Sequence, residues 1–121
     1  MWLMIAGINL ALAVILGAFG AHGLEKMATP QQLAWWHTAT DYFFYHALGL
    51  LALAVLGKVL PLFPIRMTFL SIQLGILLFC GSLFLMGLGS TGLGMITPLG
   101  GLFMIIGWLL LAFNAIKYRQ M

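Results

Sequence analysis

From Met1 to Ala21 the sequence carries no charged side chain, and three further apolar runs of similar length follow. A helix over the first run, at about 1.5 Å per residue, reaches roughly 31 Å, the thickness of a bilayer's hydrocarbon core. Within hydrocarbon every backbone N–H and C=O needs an internal partner, so a run of this kind crosses as a helix. Over all 121 residues 64% are apolar and 6% charged. A soluble domain is closer to about 45–50% and about 25%, so a water-soluble enzyme is excluded. The fold class is all-α: a polytopic membrane protein with four transmembrane helices in an up-down bundle, forming one domain over 1–121.

Local signals place the helices near 1–22, 30–56, 65–87 and 98–117. The first is a span rather than a cleaved leader, because Trp2, Leu3 and Met4 stand where a secretory signal carries Lys or Arg. Gly23 stops it. Thr29 as N-cap, Pro30 at the first helical position and Gln32 three residues after the cap start the second. That helix, roughly 40 Å long, exceeds the core thickness, so its first turns lie among headgroups, with Trp35 and Trp36 marking the interface. Gly57 to Pro64 forms a turn containing Lys58, Pro61 and Pro64. Gly87, Gly89, Gly92 and Gly94 form the last connection, and Thr97 with Pro98 repeats the cap-plus-proline start. Lys117, Tyr118 and Arg119 anchor the final end.

An even number of spans puts both termini on one side, together with Lys58, Arg66, Lys117 and Arg119; the opposite side holds Lys26 beside Glu25. The positive-inside rule makes the shared side cytoplasmic, in a bacterial inner membrane. Five basic residues at membrane edges make no basic face, so membrane lipid and not nucleic acid is the expected surrounding. Cys80 is the sole cysteine. It forms no intrachain disulfide and reads as a small apolar filler.

Lipid tails are as apolar as leucine, so membrane helices associate through close approach and hydrogen bonds, and small residues along one face mark the contact. Asn9, Ala13, Gly17 and Gly20 share a sector of the first helix. Ser71, Gly75 and Ser82 do so on the third, and Gly100, Gly107 and Asn114 on the fourth. These stripes are expected to point inward. The opposite face of the third helix, with Gln73, Cys80 and Gly87, is then a surface for an oligomer or a larger membrane complex.

The second helix breaks the apolar rule. His37, Asp41 and Tyr45 are spaced by four, as are Thr38, Tyr42 and His46, so polar groups cover about half its circumference. Measured from Trp35, Asp41 lies about 9 Å inward and His46 about 16 Å, near the midplane. A carboxylate at the bilayer centre costs roughly 2.5–3.5 kcal/mol on insertion scales, so this face is expected to turn from lipid toward partners. Asn9 has the depth to bond His46, and Asp41 lies level with Ser82 and Gly17 and one turn from His37. One reading is polar glue holding the bundle. The alternative is a hydrated pocket open to the extracytoplasmic side, in which Asp41, Tyr42 and His46 relay protons or bind a small polar molecule, as in a small permease. A metal set of His22, His37 and Asp41 lacks the closer spacing of a ligand motif, and His22 and His46 differ in depth by about 15 Å, too far for a haem. No metal, cofactor or catalytic residue is assigned, because the serines lie on packing stripes and Cys80 has no base.

Gly17-Ala18-Phe19-Gly20-Ala21-His22, then Trp35, Thr38, Tyr42 and His46, then Leu78-Phe79-Cys80-Gly81-Ser82-Leu83, Ile96-Thr97-Pro98-Leu99-Gly100-Gly101 and Gly107-Trp108 together resemble the YgdD-type family. These are small four-span inner-membrane proteins of bacteria, with a related transmembrane protein in eukaryotes. The resemblance covers nearly the whole chain in order, and implies the fold and the location but no biochemical activity. The chain departs from the pattern at Phe43, Cys80 and Phe84, where Gln, Ser and Tyr are common, leaving His22, Tyr42 and His46 as shared polar positions. The expected role is that of a structural or accessory protein acting through membrane helix contacts.

Overall fold

A computed structural model describes residues 1–120. The described residues form α1 (Trp2–His22), a single 3-10 turn (Leu24–Lys26), α2 (Pro30–Val59), α3 (Arg66–Gly87) and α4 (Ile96–Arg119), with no strand among them. Each of the four helices is long and apolar enough to cross a membrane. The start of α2 is fixed by reciprocal bonds. Gln32 N–H donates to Thr29 Oγ1 at 3.2 Å and Thr29 N–H to Gln32 Oε1 at 2.9 Å, satisfying two backbone donors that the first turn leaves free.

The third span is the centre of the molecule. Within its most apolar stretch 44% of residues are buried, against 17% for α4, so α4 is peripheral and α3 is enclosed. One side of α3 packs on α4 and another on α2, while α1 packs on α2 and reaches α3 through Trp2 and Phe69, whose rings are 4.7 Å apart.

Glycines set how closely these helices approach. A Cβ added at Gly100 would overlap the backbone N of Phe79, and one at Gly75 would lie 2.9 Å from both Met104 N and Gly100 O. At Gly107 it would meet Ile72 Cγ1 at 2.5 Å. Backbone therefore touches backbone along the α3–α4 seam, which maximises dispersion contact where lipid supplies no hydrophobic drive. Wider π-type turns over Ile76–Cys80 fall where Gly100 presses on α3. Two hydroxyls bridge the same seam: Ser71 Oγ donates to Phe103 O at 2.7 Å, and Ser82 Oγ lies 2.6 Å from Thr97 Oγ1. Near the α4 terminus Asn114 Nδ2 donates to Pro64 O at 3.0 Å.

Several expectations are corrected. Trp36 is no interfacial marker but a buried wedge, 2% exposed. Its indole fills the space left by Gly20 on α1 and Gly87 on α3, and its N–H donates to Leu16 O at 2.8 Å. The second helix continues past residue 56 to Val59, because Gly57 packs against Ile65 and the reversal comes after it. The fourth helix begins at Ile96, and Thr97 is no cap, its hydroxyl being engaged by Ser82. The preceding loop turns at Gly89 and Gly92, whose φ values of 103° and 79° suit glycine alone. The face of α3 carrying Gln73, Cys80 and Gly87 is not an outer surface: Cys80 and Gly87 are buried and Gln73 is half-buried. A helix at the centre of the bundle has neighbours on opposite faces.

The seam yields a direct test. Gly100→Ala forces α3 and α4 apart and should lower stability by about 1–3 kcal/mol. Gly7→Ala, where an added Cβ meets nothing within 4 Å, should change it by less than about 0.5 kcal/mol. Thermal unfolding of both variants in one detergent measures the difference.

Candidate functional site

Beyond the hydroxyl bridges of the α3–α4 seam and the Trp36 indole, the polar side chains of the spans form two interhelical contacts and one outward stripe; the Thr68 hydroxyl is buried with no partner among the described residues. The first contact joins α1 to α3. Asn9 Nδ2 donates to Gln73 Oε1 at 2.8 Å and to Ile5 O at 2.8 Å, and Gln73 Nε2 returns a bond to Asn9 Oδ1 at 3.2 Å. Both protons of the Asn9 amide are thus used. The pair borders a largely apolar groove of about 360 Å³ between α1 and α3, lined also by Ile8, Leu12, Phe43, Ile76 and Leu77.

The second contact joins α2 to α4 through His46, which is 8% exposed. Its Nδ1 lies 2.8 Å from Tyr42 O, and its Nε2 accepts the indole N–H of Trp108 at 3.1 Å. A carbonyl can only accept, so Nδ1 carries the proton and Nε2 the lone pair. The Trp108 ring fits beside Gly49, where an added Cβ would meet Cη2 at 2.6 Å. His46 and Gly49, three residues apart on α2, together make the seat for one tryptophan.

The expected Asn9–His46 bond is therefore not formed: Asn9 pairs across to α3, and the sector of α2 bearing His46 faces α4. Nor does Ser82 accompany Asp41, since its hydroxyl donates to Phe79 O at 3.0 Å and meets Thr97. The expectation for the polar face is reversed most completely. Its inward sector is occupied by Trp36, Ala39, Phe43, His46, Ala47 and Leu50. His37, Thr38, Asp41, Tyr42 and Tyr45 are exposed on the outside. Tyr42 lies partly against Phe79, with ring centres 4.7 Å apart, and remains 42% exposed; Tyr45 is 62% exposed. The extracytoplasmic pocket required by the permease reading is thus not assembled from Asp41, Tyr42 and His46. Asp41 faces outward, and both nitrogens of His46 are occupied. His22 lies exposed at the end of α1, and among the described residues no three His, Cys, Asp or Glu side chains gather as a metal set.

Depth follows from the antiparallel pairing of α1 and α2. Gly17 meets Thr40 and Gly20 meets Trp36, which sets Tyr45 and His46 level with the middle of α1. Asp41 lies one turn above that level, about 6 Å away. The stripe thus enters the hydrocarbon zone instead of stopping at the headgroups.

Gly49 and Trp108 are not marked as a site by the sequence, and Gln73, expected on an outer partner surface, instead pairs with Asn9 inside the chain. Trp108 did carry a signal: an indole in mid-span, far from either interface, needs an acceptor for its N–H. Gln73, an isolated amide in an apolar run, carried the same one.

Fold and contacts define a small multi-pass membrane protein whose buried polar groups join helices. Residues 16–101 match the family described as "Protein of unknown function (DUF423)", and the chain belongs to that family. It is 42% identical over 119 residues to the UPF0382 membrane protein YwdK of Bacillus subtilis, covering 97% of each chain. It is 37% identical over 109 residues to a UPF0382 membrane protein of Haemophilus influenzae, covering 89% of this chain and 87% of that one. With the UPF0382 inner membrane protein YgdD of Escherichia coli it shares 34% identity over 119 residues, covering 98% of this chain and 91% of the other. These names indicate no biochemical activity. No solved structure matches the chain.

The buried contacts and the stripe separate on mutation. Trp108→Phe and Asn9→Leu each strand a polar partner and should cost about 1–2 kcal/mol, toward the upper end for intramembrane bonds. Tyr45→Phe, exposed on the outside of a single chain, should leave intrachain stability within about 0.5 kcal/mol. Unfolding under conditions that hold the protein monomeric reads all three.

Proposed function

We propose that this protein is a structural or accessory component of the bacterial inner membrane, acting through helix contacts made by the outer face of α2, with both termini in the cytoplasm. The observation carrying this reading is the outward stripe of His37, Thr38, Asp41, Tyr42 and Tyr45. An exposed carboxylate and a run of hydroxyls at hydrocarbon depth are expensive against acyl chains and inexpensive against another polar protein surface. The orientation is supported by Lys58, Arg66, Lys117 and Arg119, which share one side of the bundle with the termini.

In mild detergent the protein should purify as an assembly heavier than the 13.2 kDa chain. Asp41→Leu combined with Tyr45→Leu should release the single chain with intrachain unfolding unchanged. A strict monomer from native membranes, with nothing bound, contradicts the reading. Fluorescent-protein fusions at either end should fluoresce, as cytoplasmic fusions do, and loss of fluorescence at both ends would reverse the orientation.

A further inference from the structure

We propose that the occupant of this face is a second copy of the same chain, its α2 packed parallel to the first around a two-fold axis normal to the bilayer. The inference rests on the helix-contact reading and adds the identity and geometry of the partner.

The outer faces of the bundle differ in chemistry. α4 presents Leu102, Ile105, Leu109 and Phe113, and α1 presents Met4, Ile8 and Val14; acyl chains match such surfaces, which need nothing further. On α2, Thr38, Asp41, Tyr45, Leu48, Ala52 and Val55 are all exposed and follow one another at intervals of three and four. That spacing is the seam of a left-handed helix pair. Its upper half is polar and its lower half apolar.

A second copy fits this seam for three reasons. Both copies carry the same distribution of positive charge, so both insert in the same orientation, and residues of equal depth meet. Polar half then meets polar half, and apolar half meets apolar half; an oppositely inserted copy would set Asp41 against hydrocarbon. The seam also supplies donors for its one carboxylate. Asp41 only accepts when ionised, whereas Thr38, Tyr42, Tyr45 and His37 can donate. At the two-fold the carboxylates lie level with each other and repel, and each is offset by the Thr38 and Tyr45 hydroxyls of the second copy beside it and by its own His37 one turn away. Finally, Thr38 and Ala52 are small enough to let the two backbones approach. His37 flanks the seam where, in a parallel pair, it lies beside Tyr42 of the second copy.

Cysteine scanning in native membrane vesicles tests this, using positions in the apolar half so that no polar group is lost. In a Cys80→Ala background, Leu48→Cys and Ala52→Cys should give, with copper phenanthroline as oxidant, a disulfide-linked species of twice the chain's mass, and adding Asp41→Leu should remove it. Leu109→Cys on α4, likewise exposed on the single chain, should stay monomeric. Equal cross-linking from Leu109→Cys marks random collision and overturns the proposal. A photoreactive residue at position 48 separates the remaining outcomes. Capture of a different polypeptide, with both cysteine variants monomeric, overturns the second copy and leaves the helix-contact reading intact. Capture of lipid alone overturns both.

Discussion

A polar group in hydrocarbon has no water to fall back on, and this constraint governs the arrangement of the whole molecule. Most such groups inside the bundle are paired across helices: Asn9 with Gln73, His46 with Trp108, Ser82 with Thr97, Ser71 with a carbonyl of α4, Trp36 with a carbonyl of α1; the Thr68 hydroxyl, buried on α3, has no partner among the described residues. Each bond is worth little, about 0.6 kcal/mol on average in a membrane protein. Their importance lies in direction, since each fixes which helix neighbours which and at what height. The glycines at 75, 100 and 107 then let the paired surfaces close to backbone contact. The only polar stripe within the spans left outside this scheme lies on α2, and the functional reading follows from that exception.

Much of the architecture was legible in the chain. Spans are written in runs of uncharged residues, and the start of α2 in Thr29, Pro30 and Gln32, because these features act locally. Gly75 on α3, and Gly100 with Gly107 on α4, were legible as parts of two packing faces for the same reason. Periodicity states which residues share a face, but not which neighbour the face meets. The α2 stripe therefore reads as inward from the sequence: the cost of exposing Asp41 to lipid points to a polar neighbour without saying whether that neighbour belongs to the same chain. The same gap explains Gln73 and Cys80. A span at the centre of a bundle is covered on opposite sides, and a single-helix projection cannot show that. Trp36 was assigned to the interface by its position near a helix end; the hole left for its indole by Gly20 and Gly87 exists only in three dimensions.

His46 shows how a suggestive residue acquires a structural role. A histidine at mid-membrane invites a proton-transfer reading, yet here one nitrogen faces a carbonyl and the other an indole N–H. Taking up a second proton would set two N–H groups against each other, so the ring serves as a fixed two-ended connector.

The central claim is that protein, and not lipid, covers the outer face of α2 at mid-depth. The sequence holds only three tyrosines, so fluorotyrosine labelling reports this with little perturbation, the Tyr45 resonance being assigned by its loss in Tyr45→Phe. Dissolved oxygen concentrates in the hydrocarbon core and shifts the fluorine signals it can reach. In bilayers the Tyr45 signal should be only weakly shifted, and the shift should grow when Asp41→Leu separates the assembly. A large shift already present in the unaltered protein, and unchanged by that substitution, would show Tyr45 lying against acyl chains and would contradict the account.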